Sequence, residues 1–134
     1  MASGFYENGV NSIMSADVDL RNDDISALLI DTNSYTVDLN NHSDLTDITE
    51  AAILKEISLS GKTLEKTVFR ANDITFESVT GNNADAVIIF KNAESDAECI
   101  LIAYLDNAPE FPITPDGSDV IIKWDTGSNG IFKQ

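Results

Sequence analysis

Apolar positions in this chain fall into short blocks, each closed by turn-forming residues. The longest is Ala84-Asp85-Ala86-Val87-Ile88-Ile89-Phe90-Lys91, followed after a polar tract by Cys99-Ile100-Leu101-Ile102-Ala103-Tyr104-Leu105-Asp106. A proline-bearing connection then leads to Asp119-Val120-Ile121-Ile122-Lys123-Trp124-Asp125. Blocks of this length, rich in β-branched and aromatic residues, predict strands rather than helices. The first two are almost continuously apolar, so both of their faces must be covered, as in the central strands of a sandwich or layered sheet. Asn92 to Glu98 is long enough to return the chain antiparallel, which makes the first two blocks a hairpin.

Earlier in the chain, Phe5, Gly9, Val10, Ile13 and Met14 fall at helical spacing. They predict a short amphipathic helix from Ser3 to Ser15, with Ser3 as N-cap and Gly9 as its weak point. Its apolar stripe faces either its own domain or a neighbouring subunit. Ile25 to Thr32 predicts a strand, and Tyr35-Thr36-Val37-Asp38-Leu39 alternates as a second, short one. Asn40 to Thr49 reads as a polar loop pinned by Leu45 and Ile48 through one helical turn. Glu50 to Ser60 satisfies both periodicities; a strand over Ile53 to Leu59 is preferred. Lys62 to Phe69 and Ile74 to Val79 predict two more strands. Pro115-Asp116-Gly117 and Thr126-Gly127-Ser128-Asn129-Gly130 predict turns, with a terminal strand or anchor at Ile131-Phe132. Eight or nine strands at this spacing predict a mainly β fold, a single-domain β-sandwich or jelly-roll-like barrel with a short N-terminal helix. The division is 1–16 for the N-terminal helix or arm and 24–134 for the sandwich, within one domain of 1–134.

Length agrees, since 134 residues suit one domain that buries enough surface to fold without staples. Charge changes the picture more. Eight Lys plus Arg stand against 23 Asp plus Glu, a formal net charge of −15. Phosphate binding depends on clustered cations, so nucleic acid and anionic membranes are disfavoured as partners. No apolar segment approaches bilayer length, and the N-terminus shows no signal-peptide pattern. The one cysteine, Cys99, excludes an internal disulfide; in a strand beside Glu98 it reads as a small buried hydrophobe.

Candidate chemistry is sparse. No nucleophile elbow, P-loop, dinucleotide-binding glycine pattern or zincin helix occurs. Any hydrolase triad would need His42, the single histidine, which reads as a solvated loop residue. Carboxylates at Asp17, Asp19, Asp23 and Asp24 suggest a calcium loop. Counting from Asp17, however, Asn22 and Leu28 stand where an EF-hand needs glycine and glutamate, so the stretch reads as a solvated turn. The expectation is therefore a non-enzymatic protein with no cofactor, metal or catalytic residue. Trp124 reads as core before binding platform.

Several segments carry a resemblance that composition does not. They are Asp24-Ile25-Ser26-Ala27-Leu28-Leu29-Ile30-Asp31-Thr32, Tyr35-Thr36-Val37-Asp38-Leu39, His42-Ser43-Asp44-Leu45-Thr46-Asp47-Ile48, Ser60-Gly61-Lys62-Thr63 and Asp73-Ile74-Thr75-Phe76. The closing part is the most specific: Leu101-Ile102-Ala103-Tyr104, Pro112-Ile113-Thr114-Pro115-Asp116-Gly117, and Trp124-Asp125 through Gly130-Ile131-Phe132-Lys133. Over nearly its whole length the chain resembles a family of small tailed-bacteriophage virion structural proteins. It departs from them at Thr49-Glu50-Ala51-Ala52-Ile53-Leu54, where a small glycine-bearing turn is expected. The resemblance implies a capsid decoration, or cement, protein made in the host cytoplasm and placed on the outer capsid surface of the virion. It implies the major capsid protein as partner and a homo-oligomer, with a trimer favoured. An acidic protein also suits the solvent side of a shell. The alternatives are a tail, collar or fibre-base component, and a carbohydrate-binding β-sandwich module. The candidate interface residues are Phe5, Val10 and Ile13 on the N-terminal segment, and Phe111 and Ile113 on the proline-bearing connection.

Overall fold

The computed structural model describes residues 4–65, 68–81, 83–106, 111–124 and 131–133. These form a mainly β, antiparallel sandwich with one short helix. In chain order the elements are β1 (Gly4–Phe5), α1 (Glu7–Met14), β2 (Ile25–Ile30), β3 (Ile53–Ser58), β4 (Thr63–Glu65), β5 (Val68–Arg70), β6 (Ile74–Phe76), β7 (Ala86–Lys91), β8 (Ile100–Leu105), β9 (Val120–Ile122) and β10 (Phe132–Lys133). Five of them build an open sheet in the order β1-β8-β7-β2-β3, and two smaller sheets, β10-β5-β4 and β6-β9, complete the fold.

The two apolar blocks at 84–91 and 99–106 pair as the expected hairpin, and β7 is the central strand. Its side chains alternate without a break. Val87 and Ile89 pack into one apolar cluster with Phe69, Phe76 and Ile122 of the small sheets. Ala86, Ile88 and Phe90 pack into a second cluster with Tyr6, Tyr35, Leu45 and Ile48. One layer is thus sheet on sheet, and the other is sheet under irregular chain. On β8 the alternation slips, because Ile89 opposes Ala103 while Phe90 opposes Leu101. Ile102 is the extra residue of a β-bulge, so Ile102 and Ala103 both pack on the sandwich side, flanked by Leu101 and Tyr104 on the other.

Two sequence expectations are corrected here. The run Lys62 to Phe69 is not one strand: β4 and β5 pair antiparallel with each other, Thr63 opposite Arg70 and Glu65 opposite Val68. Tyr35 to Leu39 forms no strand. Its alternation does mark burial, since Tyr35 is buried and Val37 and Leu39 pack against the second cluster. Asp38 ends the segment by closing a turn: its carboxylate accepts from Asn41 Nδ2 at 2.9 Å and its carbonyl from the His42 amide at 2.9 Å. Side chains of this kind offer the backbone an alternative to a ladder.

Elsewhere the expectations hold with shorter limits. Ile53–Ser58 is a strand, preceded by a single 3-10 turn over Glu50–Ala52. Leu45 and Ile48 are buried at the ends of a 3-10 turn whose N-cap, Asp44, forms a capping box with Asp47. Gly117, at φ +90°, supplies the turn read from Pro115-Asp116-Gly117. The expected turn at 126–130, and Ser3 as a cap, lie outside the described residues.

The N-terminal segment is built into the domain rather than hung from it. Helix α1 begins at Glu7, later than expected, because Gly4 and Phe5 first pair with Tyr104 and Ala103 of β8. Next in line, the Tyr6 amide donates to the Ile102 carbonyl at 2.9 Å, and the Leu101 amide donates to Ser43 O at 3.0 Å. The outer edge of β8 is therefore covered. On the opposite side β3 is the edge strand, with no ladder partner on its outer side among the described residues. The Leu59 amide donates to Ile25 O at 2.8 Å, which makes this the hydrogen-bonded type of pair. By alternation the backbone groups of Glu56 and Ser58 turn outward, where they meet no backbone partner among the described residues.

Candidate docking surface

Helix α1 fully buries Gly9 and Ser12, one turn apart, while Val10 and Ile13 of its stripe are half-buried and Met14 is exposed. Gly9 is the reason. A Cβ built there would stand 2.3 Å from Leu101 O and 2.8 Å from Ile102 Cα, so only glycine lets the helix lie this close to the β8 backbone. The residue that weakens the helix is the one that docks it.

The five candidate interface residues are placed as follows. Phe5 lies in β1, and Ile13 on α1; both are half-buried and pack against the sandwich-side cluster. Phe111 and Ile113 do the same, and Ile113 also bridges to Ala84 through paired 2.8 Å backbone hydrogen bonds. Val10 is half-buried and belongs to neither cluster. Four of the five are thus turned at least partly toward the molecule's own core. Sequence reasoning missed Met14 as an interface residue. One turn beyond Val10 on the same face, it is 80% exposed. Two other large apolar side chains stand out from the surface, Leu64 on β4 and Ile121 on β9. Trp124 is half-buried against the sandwich cluster, its indole N–H donating to Asn72 O at 3.0 Å.

The groups with chemical potential are engaged in structure. Asp19 and Asp23 close their own turn: Asp23 Oδ2 accepts from the Asp19 amide at 2.8 Å, and Asp19 Oδ2 from Asn22 Nδ2 at 2.7 Å. The Asn22 amide beside Asp19 holds that carboxyl below its usual range. Lys91 ties the turn to β7, reaching Asp17 O at 2.7 Å and Asp23 Oδ2 at 3.4 Å. Among the described residues no three His, Cys, Asp or Glu side chains gather as a metal would require. Cys99 is buried, and burial pushes its thiol above the ordinary range, the opposite of an activated nucleophile. An open groove of about 240 Å³ between β3 and β6 is lined by Lys55, Glu56, Ile57, Thr75, Phe76 and Glu77.

His42 is not the solvated loop residue that its isolation suggests. Its Nδ1 lies 2.8 Å from the Tyr35 hydroxyl, which lies 2.8 Å from the hydroxyl of Tyr6. Burial raises the hydroxyls of Tyr6 and Tyr35 above the normal tyrosine range and pushes Tyr104 up to about 12. All three tyrosines are therefore neutral donors under ordinary conditions. Tyr6 and Tyr35 are 29 positions apart, and no local pattern announces the pair. Comparison of the chain with protein-family models and with curated protein sequences finds no match in either.

Proposed function

We propose that this chain is a non-enzymatic structural protein of a tailed-phage virion that decorates the outside of the head and stabilises the shell. The observation that supports it best is the outward face of α1, where Met14 is 80% exposed one turn beyond Val10. On a chain of net charge −15, a surface carrying two apolar side chains with Asn11 between them suits a docking contact, because interface cores are poor in charge. Glu7, in the first turn of the helix, stands at its rim. The sequence resemblance supplies the partner, the major capsid protein, and a homo-oligomer with a trimer favoured. A protein that binds the assembled shell and not its separated subunits strengthens the shell by mass action.

The test adds purified protein to heads that lack it and measures bound copies and resistance to heat. Full-length protein should cover the shell and raise its thermal tolerance, and Met14→Asp should reduce binding without unfolding the domain. Truncation of residues 1–15 is the wrong probe, since it removes Tyr6 and β1 from the core. Binding confined to the tail vertex, with shell stability unchanged, would replace this reading with a tail, collar or fibre-base role.

A further inference from the structure

The groove between β3 and β6 is a ladder that begins and is not continued. At one end the Asn72 amide donates to Ser60 O at 2.8 Å, and Asn72 Nδ2 donates to Ser60 Oγ at 3.3 Å. From that point β3 runs back through Ile57 to Lys55, while β6 runs on through Thr75 to Glu77. Counting outward along both brings 57 across from 75, 56 from 76 and 55 from 77, and these are the six residues that line the groove. Yet among the described residues β3 pairs only with β2, and β6 only with β9. Two strand edges thus run antiparallel along a seam that is shut at Ser60 and Asn72 and open at Lys55 and Glu77.

Both lips offer something that an incoming chain could use. The backbone groups of Glu56 and Ser58 turn away from β2 and meet no backbone partner among the described residues. An extended chain satisfies such groups by adding itself as a strand. Between them Ile57, half-buried against the sandwich cluster, leaves apolar surface in the groove. Lys55, Glu56 and Glu77 are exposed, and among the described residues no ion pair or hydrogen bond engages their side chains. Two carboxylates against one ammonium leave the seam net negative, on a chain of net charge −15. A basic segment is therefore drawn in by the whole molecule and paired at Glu56, since opposite charges facing each other across two strands are favourable. A second copy suits the seam less well. Copies at −15 repel, and symmetric registers centred on Lys55 or Glu56 set like charges directly opposite. A register centred on Ile57 carries the second chain onto the place beside Ser60 that Asn72 already holds.

We infer that the β3–β6 seam docks an extended segment of another protein, which sets a lysine or arginine opposite Glu56 and an apolar side chain opposite Ile57. The seam stands at the opposite border of the main sheet from β8, on which α1 lies, so its occupant is distinct from whatever meets Met14.

The probe is a short capped peptide of alternating lysine and valine, added to the full chain at low ionic strength. Amide exchange of Glu56 and Ser58, followed by NMR, should slow at least tenfold at saturation, with β7 protection unchanged as the check on the fold. The same peptide methylated on its backbone nitrogens should not protect them. A glutamate–valine peptide should bind at least tenfold more weakly, and Glu56→Lys should narrow or reverse that preference. Absence of protection at Glu56 and Ser58 overturns the docking site, whether the peptide stays free or settles on another acidic surface. So does an equal effect from the methylated peptide, or equal binding of the lysine and glutamate peptides. Protection that appears in the chain alone and rises with its concentration gives the seam to a second copy instead.

Discussion

The main sheet is covered on one face by strands and on the other by loop, and the two covers hold by different means. On the sandwich side, Phe69, Phe76, Val120 and Ile122 of the small sheets meet Ile25, Leu29, Val87 and Ile89, with no hydroxyl among them. On the loop side, the cover is Tyr35, Leu45, Ile48 and Ala52, with Tyr6 from the N-terminal segment, fastened by hydroxyl hydrogen bonds and by Asx and capping turns. Apolar packing is insensitive to pH and direction, whereas the loop cover depends on where each hydrogen sits. The same sheet thus has one face covered by apolar packing alone and one fastened by oriented hydrogen bonds.

Truncating matched phenylalanines tests that contrast most severely. Phe76 and Phe90 are both essentially fully buried, Phe76 between sheets and Phe90 under the loop. Phe76→Ala should cost about 3–5 kcal/mol in denaturant unfolding, by the usual loss for a buried aromatic. Phe90→Ala should fall at or below about 3 kcal/mol, since an irregular cover collapses into a cavity more readily than paired strands do. Equal losses would mean that the loop is as rigid as the second layer. Next in size is Tyr35→Phe, which strands the Tyr6 hydroxyl and leaves His42 Nδ1 unpaired. A loss of about 1–3 kcal/mol at neutral pH is expected, measured against an unchanged sandwich side.

A smaller effect comes from Asp47. Backbone amides of Ser43 and Asp44 donate to its carboxylate, the Ser43 bond at 2.7 Å, and hold the carboxyl below its usual range. A depressed carboxyl stabilises the fold above its unfolded-state value and loses that contribution as pH falls through the folded-state value. Below about pH 4 the loop should therefore loosen before the sandwich does. Asp47→Asn should flatten this acid limb in a melting-temperature series, and an unaltered limb would assign it to other carboxylates. Smallest of all is Met14→Ser, which touches neither cover. Its effect on stability should stay within about 0.5 kcal/mol, and a larger fall would make Met14 part of the core.

The central strands were legible in the sequence, as were Leu45 and Ile48 as pins of the covering loop, while the fold-back within Lys62 to Phe69 and the hydrogen bonds that fasten the loop were not. Ala84 to Lys91 and Cys99 to Asp106 announce buried strands because β-branched runs closed by turn residues have few other uses. Alternation at Tyr35, Val37 and Leu39 reported burial correctly and pairing incorrectly, since period two records which side faces inward and not what lies alongside. The Tyr6–Tyr35–His42 chain leaves no trace in any window, because its partners meet only after the N-terminal segment has docked. Gly9 shows the same limit. Propensity marks it as a helix weakness, and only the position of the β8 backbone reveals why a side chain is excluded there. Of the candidate docking residues, apolar character was readable but direction was not. Phe5, Ile13, Phe111 and Ile113 turn largely inward, and Met14 turns out.

The unequal ends of the main sheet set a rule for assembly. On one side a two-residue strand, the Tyr6 amide and the Ser43 carbonyl occupy the border of β8, while Glu56 and Ser58 on β3 point their backbone groups into solvent. A sheet with two receptive borders propagates head to tail into a ribbon. With one receptive border among the described residues, two copies that met along β3 would close a symmetric pair and use that border up. Edge-on stacking through this border would therefore stop at two copies.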